Sequence, residues 1–221
     1  MKKYELIKQE NGFFRIRALK SFGNVKEGEL GGIIEKEANL SQYDNAWVYG
    51  NAKVYDDAKV YGNAKVYGNA EVYDDAKVYG NAEVCGNAWV FGNAEVYDDA
   101  EVYDDAKVYD DAEVYDDAKV YGNAKVYGNA KVYGNAEVYG NAKVISEINE
   151  PFLKIASIQC ENRLITVYQD IKRDVKCNIG CQKGMTLEML ERRIEEDGGI
   201  KPHRKQYINI MKNAKSILNI E

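Results

Sequence analysis

Histidine and long apolar runs are scarce in this sequence, and each scarcity excludes something. The single histidine, His203, leaves most of the chain without the side chain that titrates near neutral pH and usually acts as general base. No stretch approaches the ~18 apolar residues of a membrane helix, so we expect no membrane contact. Residues 1–6 lack the apolar core of a secretion signal. The four cysteines therefore indicate reduced thiols in a cytoplasmic protein.

Negative charge is confined to the middle of the chain. Residues 43–144 hold 19 carboxylates and 9 lysines, a net charge of -10, whereas residues 1–42 and 145–221 each sum to +2. An acidic segment of this kind repels phosphate backbones, so we expect no direct nucleic-acid binding there. Tyrosine is the abundant aromatic residue, with 18 copies against 5 Phe and 2 Trp.

That middle segment is a six-residue repeat. Valine recurs at every sixth position from Val48 to Val144, and alanine does so from Ala46 to Ala142. Each Ala-x-Val-Tyr unit is followed by Gly-Asn or Asp-Asp. A period of this length is typical of stacked-repeat architectures.

Two other folds fit the repeat poorly. In an α-helix, a six-residue period drifts by about 120° per repeat, so valine would surround the cylinder and no apolar face would form. In an antiparallel meander, paired residues share a face, so each face would alternate valine with lysine from strand to strand. A parallel β-helix resolves the conflict, because alanine and valine point inward, while the charged residue and tyrosine point outward. The dipeptide then forms a corner with Asn or Asp in the left-handed backbone conformation, and three corners close an eighteen-residue coil.

The segment before the repeat carries a recognisable motif. It reads Gly-Gly-Ile-Ile-Glu at 31–35, Asn-Leu-Ser at 39–41 and Trp-Val-Tyr at 47–49. With the repeat, it resembles the hexapeptide-repeat superfamily, and most closely uncharacterised phage and prophage proteins with Tyr-Gly-Asn-Ala-x-Val repeats. Ile33 stands where that group usually has an aromatic residue. The resemblance implies left-handed coiling and a mobile-element origin.

The predicted fold class is all-β, a left-handed parallel β-helix with three hexapeptides per coil, a β N-terminal cap and a small α+β C-terminal domain. We expect an N-terminal cap and first partial coil at 1–42, the β-helix at 43–145 and the α+β domain at 146–221. The cap contains a strand pair, 4–7 and 13–19, around Asn11-Gly12. Downstream we predict strands at 154–160, 163–169 and 175–182, a helix that begins at Thr186, and a second helix after Pro202.

Catalysis and metal binding have weak support in the sequence. Acyltransferases of the resembled superfamily use a histidine beside a loop that leaves the rod, whereas His203 lies outside the repeat and no insertion interrupts it. Cys160, Cys177, Cys181 and His203 form one conceivable zinc set, but buried thiols in a small core fit the spacing better. Cys85 occupies a tyrosine position and is interpreted as a simple substitution. We therefore predict no catalytic residue, no metal and no cofactor.

The outer surface is the candidate for binding. An eighteen-residue coil predicts tyrosine ladders on three faces, which either stabilise the sheets or form an adhesive surface. The Asp-Asp corners either are solvated turns, bind Ca²⁺, or present negative charge to a basic partner. The candidate partner-binding residues are Tyr97, Tyr103, Tyr109, Tyr115, Tyr121, Asp98, Asp99, Asp104, Asp105, Asp110, Asp111, Asp116 and Asp117.

Three functions are compatible with these observations. The first is a non-catalytic protein-interaction or scaffold protein of phage origin, such as an inhibitor of a host defence complex that binds a basic nucleic-acid-binding partner. The second is a hexapeptide-repeat acyltransferase. The third is a self-assembling structural rod, a homo-oligomer joined through tyrosine faces.

Overall fold

The computed structural model describes residues 2–144, 152–160, 163–170, 172–179, 182–196 and 202–218. From Trp47 to Val144 the strands are two residues long, because each repeat provides one β-branched residue between two corners. The strands in chain order are β1 Tyr4–Lys8, β2 Phe14–Ala18, β3 Leu30–Ile34, β4 Trp47–Val48, β5 Lys53–Val54, β6 Lys59–Val60, β7 Lys65–Val66, β8 Glu71–Val72, β9 Lys77–Val78, β10 Glu83–Val84, β11 Trp89–Val90, β12 Glu95–Val96, β13 Glu101–Val102, β14 Lys107–Val108, β15 Glu113–Val114, β16 Lys119–Val120, β17 Lys125–Val126, β18 Lys131–Val132, β19 Glu137–Val138, β20 Lys143–Val144, β21 Phe152–Cys160, β22 Arg163–Asp170, β23 Val175–Ile179 and β24 Gln182–Met185.

The strands β4–β20 wind into a parallel β-solenoid of about six turns. Every strand pairs in parallel with the strand three repeats away, so that Val84, for example, lies beside Val66 and Val102. This register confirms the predicted parallel coil of three hexapeptides. Its left-handed sense stays an expectation from the family resemblance.

Three flat faces result, which we number by their strands. Face 1 holds β5, β8, β11, β14, β17 and β20; face 2 holds β6, β9, β12, β15 and β18; face 3 holds β4, β7, β10, β13, β16 and β19. The chain passes from face 3 to face 1, then to face 2, and back to face 3. Each corner therefore belongs to one of three edges: edge 1–2, edge 2–3 or edge 3–1.

The repeated alanines and valines fill the interior of the solenoid. From Ala46 to Val144, each has at most 3% of its surface exposed, as predicted. Burial of a valine side chain contributes about 1.5–3 kcal/mol, and the small alanine lets the three faces approach each other. The core is thus a continuous apolar column rather than a cavity.

The corners correct one sequence prediction. The residue in the left-handed conformation is the first of each pair, either glycine or the first aspartate: φ is +69° at Gly86 and +59° at Asp104. The asparagine of the Gly-Asn pairs does not take this position, contrary to our expectation. Glycine adopts positive φ without steric cost, and aspartate tolerates it better than most residues.

The N-terminal hairpin closes the first coil. Strands β1 and β2 are antiparallel, as predicted, and β3 joins them to face 1. Solenoid N–H groups donate toward the following coil, so carbonyls of the first coil lack strand partners. Lys3 Nζ donates to the carbonyls of Ala46 and Tyr43 at 2.9 and 3.1 Å, and the Tyr4 hydroxyl donates to that of Leu40 at 2.6 Å. The cap thus supplies donors that a preceding coil would have supplied.

The C-terminal sheet continues face 3. Strand β21 pairs in parallel with β19, and β22, β23 and β24 follow as antiparallel neighbours. Tyr168, only 2% exposed, belongs to the same apolar cluster as the solenoid core. The predicted single strand at 175–182 is wrong: β23 and β24 are two separate strands that pair antiparallel.

Helices pack against this C-terminal sheet. Helix α1 (Leu187–Glu196) begins after Thr186, whose hydroxyl accepts from the N–H of Met189 at 3.3 Å, as predicted. Helix α2 (Pro202–Lys212) follows. The apolar stripe from Tyr207 to Leu218 predicted a single helix here, but α3 (Ala214–Ile217) is a separate short helix. Leu190 and Ile194 of α1 pack with Tyr207 and Met211 of α2. Among the described residues no helix combines the length and the apolar character that crossing a membrane requires.

Candidate interaction surface

Each face of the solenoid exposes two parallel rows of side chains. The residue before each valine forms a mainly charged row, and the residue after it forms a row of rings. Rings one coil apart are stacked, with centroids 4.8–5.5 Å apart and planes within 17°. The predicted tyrosine ladders are therefore present, and such stacks stabilise neighbouring strands.

The two rows are joined by hydrogen bonds. A tyrosine hydroxyl donates to the glutamate sixteen residues later, as from Tyr67 to Glu83 at 2.9 Å and from Tyr79 to Glu95 at 2.9 Å. Burial, together with the adjacent carboxylate, raises the pKa of Tyr97 and other ladder tyrosines well above the usual value. The rings are half-buried and fixed in orientation, so stacking and hydrogen bonding within the solenoid already use much of each phenol.

The five tyrosines predicted to bind a partner lie on three different faces. Tyr97 and Tyr115 stack on face 2, Tyr103 and Tyr121 on face 3, and Tyr109 belongs to the stack of face 1. A flat partner on one side of the rod would contact at most two of the three groups. The rings stack in ladders on three separate faces, and the five predicted tyrosines do not form one continuous patch.

Amide ladders run along the edges. On edge 2–3 the side-chain amide of Asn45 donates to Asn63, Asn63 to Asn81, and Asn81 to the carboxylate of Asp99, at 2.9–3.0 Å. Asp105 and Asp111 accept the same bond from Asn87 and Asn93 on the other two edges. The second residue of a corner therefore holds its neighbour one coil away in a fixed position.

The first aspartate of a corner serves a different hydrogen bond. Its carboxylate accepts from the backbone N–H eighteen residues later: Asp104 from Gly122, and Asp116 from Gly134, at 3.2 and 2.9 Å. Asp110 accepts equally from Gly128 at 3.2 Å. Aspartate tolerates positive φ. Its carboxylate also accepts a hydrogen bond from a corner N–H that has no partner in the strand pairing of the solenoid.

The eight predicted aspartates form a belt around the rod. Between 95 and 117 the sequence has eleven carboxylates and one lysine, whereas 118–144 has four lysines and one glutamate. The aspartates occupy all three edges, and only Asp98–Asp99 and Asp116–Asp117 lie one coil apart on the same edge, edge 2–3. The Asp117 side chain has no N–H to donate to Asp99, so within residues 95–117 the negative charge is densest on edge 2–3. We name residues 95–117 the acidic belt.

The acidic belt borders a shallow groove but forms no recognisable metal site. The groove, of about 520 Å³, is lined by Asp99, Asp117, Glu101 and neighbouring polar residues. Within the described ranges, no three His, Cys, Asp or Glu side chains are arranged to hold a metal ion. The groove is open and polar, which suits a protein side chain or a backbone rather than an enclosed small molecule.

Among the cysteines and the histidine, the structure describes the side chains of Cys85 and Cys177. Cys177 is buried, and burial raises the pKa of its thiol to about 12, so that it is a packing residue. The surroundings of the Cys160, Cys181 and His203 side chains lie outside the described residues. Cys85 is half-buried between Tyr67 and Tyr103 and interrupts the ring row of face 3.

Face 1 holds a group that we did not predict. Its charged row reads Trp89, Lys107, Lys125 and Lys143 in successive coils. The Lys107 ammonium lies 3.5 Å from the Trp89 ring centroid, and Trp89 is 38% exposed. Writing the sequence in rows of eighteen would have aligned these residues.

In comparisons with known proteins, the chain matches no protein-family model and no curated protein.

Proposed function

We propose that this protein is a non-catalytic interaction protein in which the rod holds charged surfaces at fixed positions for a protein partner. The observation that carries the proposal is the acidic belt. Asp99, Asp105 and Asp111 each accept a hydrogen bond from an asparagine one coil earlier. These carboxylates are ordered before any partner arrives, so binding them costs less side-chain entropy than binding mobile ones.

The charge of the belt favours a basic partner. Clusters of fixed negative charge speed the encounter with positive surfaces and reject negatively charged ones. Channels that bind nucleic acids carry such positive surfaces. The motif at 31–49 resembles phage proteins, and together these two features favour an inhibitor that occupies the basic channel of a host defence complex in the cytoplasm.

The geometry supports acyl transfer less well. Residues 47–144 follow the six-residue period throughout, and each corner is two residues long, so no loop extends from the rod over a neighbouring surface. The same segment contains no histidine, and general-base catalysis needs a group that titrates near neutral pH. An active site needs a local departure from the repeat, whereas the surface formed by residues 47–144 is regular.

A capture experiment with an acidic belt of reduced negative charge tests the proposal. Asp99, Asp105 and Asp117 are changed to asparagine, the residue that this chain itself uses at the same corner position. The tagged protein is incubated with lysate of a bacterial host, and bound proteins are identified. We expect the wild type to retain a nucleic-acid-binding complex that DNA displaces, and the belt variant to lose it.

A matched control makes the result specific. Asp57→Asn and Asp75→Asn are the same changes at equivalent positions outside the acidic belt, and should leave capture intact. Identical sets of bound proteins for the wild type and the belt variant would contradict the proposal. Turnover of an acyl-coenzyme A by the purified protein would favour the acyltransferase instead.

A further inference from the structure

The ring row of face 3 is interrupted at one position. The register of β7, β10 and β13 places Cys85 between Tyr67 and Tyr103, one coil from each. Farther along the same row, Tyr103 and Tyr121 stack with their centroids 4.9 Å apart. The rings of Tyr67 and Tyr103 are therefore separated by about two such steps, which is the room that one further stacked ring takes.

The coils do not close over this interruption. The backbone N–H of Tyr67 donates to the carbonyl of Val84 at 2.9 Å, and that of Cys85 donates to Val102 at 2.9 Å. The Tyr67 hydroxyl donates to Glu83 at 2.9 Å, so its ring keeps the orientation of the other ladder rings. Burial raises the pKa of the Cys85 thiol. The floor between the two rings is therefore a neutral, polarizable sulfur.

A carboxylate beside the interruption lacks the hydrogen bond that its equivalents make. Glu101 accepts from Lys119 Nζ with Oε1 at 2.9 Å, but within the described part of the chain no hydroxyl donates to its Oε2. The tyrosine sixteen positions earlier that would supply the donor is replaced by Cys85. The other five glutamates of the solenoid each accept a tyrosine hydroxyl with Oε2: Glu71, Glu83, Glu95, Glu113 and Glu137.

We propose that the space between Tyr67 and Tyr103 binds the phenol ring of a tyrosine side chain from the protein partner. We name this space, with Cys85 as its floor and Glu101 at its side, the ring gap. The bound ring stacks between Tyr67 and Tyr103, and its hydroxyl donates to Glu101 Oε2. Both contacts repeat those that the other ladders already make. Aromatic side chains seated in preformed pockets commonly dominate the affinity of protein interfaces.

The surroundings favour a tyrosine that lies among basic residues. A phenylalanine would fill the ring gap but would leave Glu101 Oε2 without its donor, and a phosphorylated ring would be repelled by the carboxylates. The corner after Tyr103 is Asp104–Asp105, which belongs to the acidic belt. A tyrosine flanked by lysine or arginine can therefore contact the ring gap and the belt together. The inference thus rests on the proposed function and names one side chain of the partner.

Binding of p-cresol, the tyrosine side chain as a free molecule, tests the ring gap without the partner. We expect its methyl resonance to shift upfield when purified full-length protein is added, because the rings on either side shield it. The Kd should lie in the millimolar range, since a molecule of this size makes few contacts. Bound p-cresol should also slow the alkylation of Cys85, which mass spectrometry of the corresponding peptide measures.

Substitutions at position 85 separate filling of the ring gap from loss of the thiol. Cys85→Tyr supplies the missing ring from the chain itself and should weaken p-cresol binding at least about tenfold. Cys85→Phe should do the same without adding a hydroxyl. Cys85→Ala leaves the space open and should bind as the wild type does.

The hydrogen bond to Glu101 has its own test. Methylation of the hydroxyl, as in 4-methylanisole, should weaken binding about threefold or more, since the ring still stacks but cannot donate. Glu101→Gln should weaken p-cresol binding by a similar factor. Glu113→Gln is the matched control, because Glu113 already accepts from Tyr97, and it should leave binding unchanged.

Three outcomes would overturn the ring gap. These are no binding of p-cresol to the wild type up to its solubility, equal binding to the wild type and Cys85→Tyr, and equal binding of p-cresol and 4-methylanisole. The capture experiment is independent of all three. Belt-dependent capture by a protein that does not bind p-cresol would sustain the proposed function and remove only the ring gap, whereas p-cresol binding without belt-dependent capture would do the reverse.

Discussion

The backbone N–H of Asp104 lies 2.8 Å from the position that a Cβ atom on Gly86 would occupy. Gly86 and Asp104 are successive corners of edge 3–1, and Gly86 has a φ of +69°. Gly134 has a similar φ of +63°, but nothing lies within 4 Å of its Cβ position. The two glycines therefore separate backbone strain from steric contact between coils.

We expect Gly86→Ala to destabilise the protein more than Gly134→Ala. Both variants pay about 1–2 kcal/mol for the left-handed conformation, and Gly86→Ala must also push the next coil away. Urea denaturation of the two variants measures the difference. Equal losses of stability would show that contact between corners does not limit the choice of residue.

Cys85→Tyr should stabilise the rod. A ring at this position would stack between Tyr67 and Tyr103, and each new pair is worth about 0.5–1.5 kcal/mol. The new hydroxyl would also come within reach of Glu101, sixteen residues later, as in the other tyrosine–glutamate pairs. Thermal unfolding should show a higher Tm for Cys85→Tyr than for the wild type, and no such gain for the control Cys85→Ala.

The ladder tyrosines should make the fold sensitive to alkali. Burial raises the pKa of Tyr55, Tyr79 and Tyr121 in the folded state, so the neutral phenol is favoured there. The resulting stability is fully present below pH ~10, the pKa of tyrosine in an unfolded chain, and is lost as the pH rises above it. Phenolate absorbance should therefore appear together with loss of the circular dichroism signal. Phenolate formation by most of the tyrosines in a fully folded protein near pH 10 would contradict this.

Lys3 should contribute the opposite pH dependence. Burial lowers the pKa of Lys3 to about 8, so between pH 8 and its unfolded value of ~10.4 the unfolded chain binds more protons. Stability then rises with pH across that window, by up to about 2 kcal/mol between pH 8 and 9.5. The difference in unfolding free energy between the wild type and Lys3→Met, measured at pH 7 and 9.5, should widen in favour of the wild type. A constant difference would mean that Lys3 keeps an ordinary pKa.

The repeat made the fold predictable to the level of individual contacts. Because Val48 to Val144 recur without interruption, the coil length, the buried residues and the ring partners all follow from counting in eighteens. The N-terminal hairpin and the hydroxyl cap of Thr186 were equally visible, since Asn-Gly and a Thr before an apolar stripe have local meanings.

Other features depend on information that is not local. The assignment of the left-handed position to Asn was wrong because both members of Gly-Asn tolerate it, and only the closed coil decides between them. The hydrogen bonds of Lys3 join residues about forty positions apart, and a lysine near a terminus has no distinguishing pattern. The row of Trp89, Lys107 and Lys125 needed the sequence to be aligned by coil, whereas we considered tyrosines and aspartates alone.

Because each coil has eighteen residues, the number of repeats sets both the length of the rod and the rotation between its two ends. Deleting one whole coil would shorten it by about 4.8 Å and leave the terminal sheet facing the same way. Deleting a single hexapeptide would turn that sheet by a third of a revolution about the rod and attach it to a different face. Duplication or loss of repeats could thus reset both the distance and the relative rotation of the two ends without touching the residues at either end.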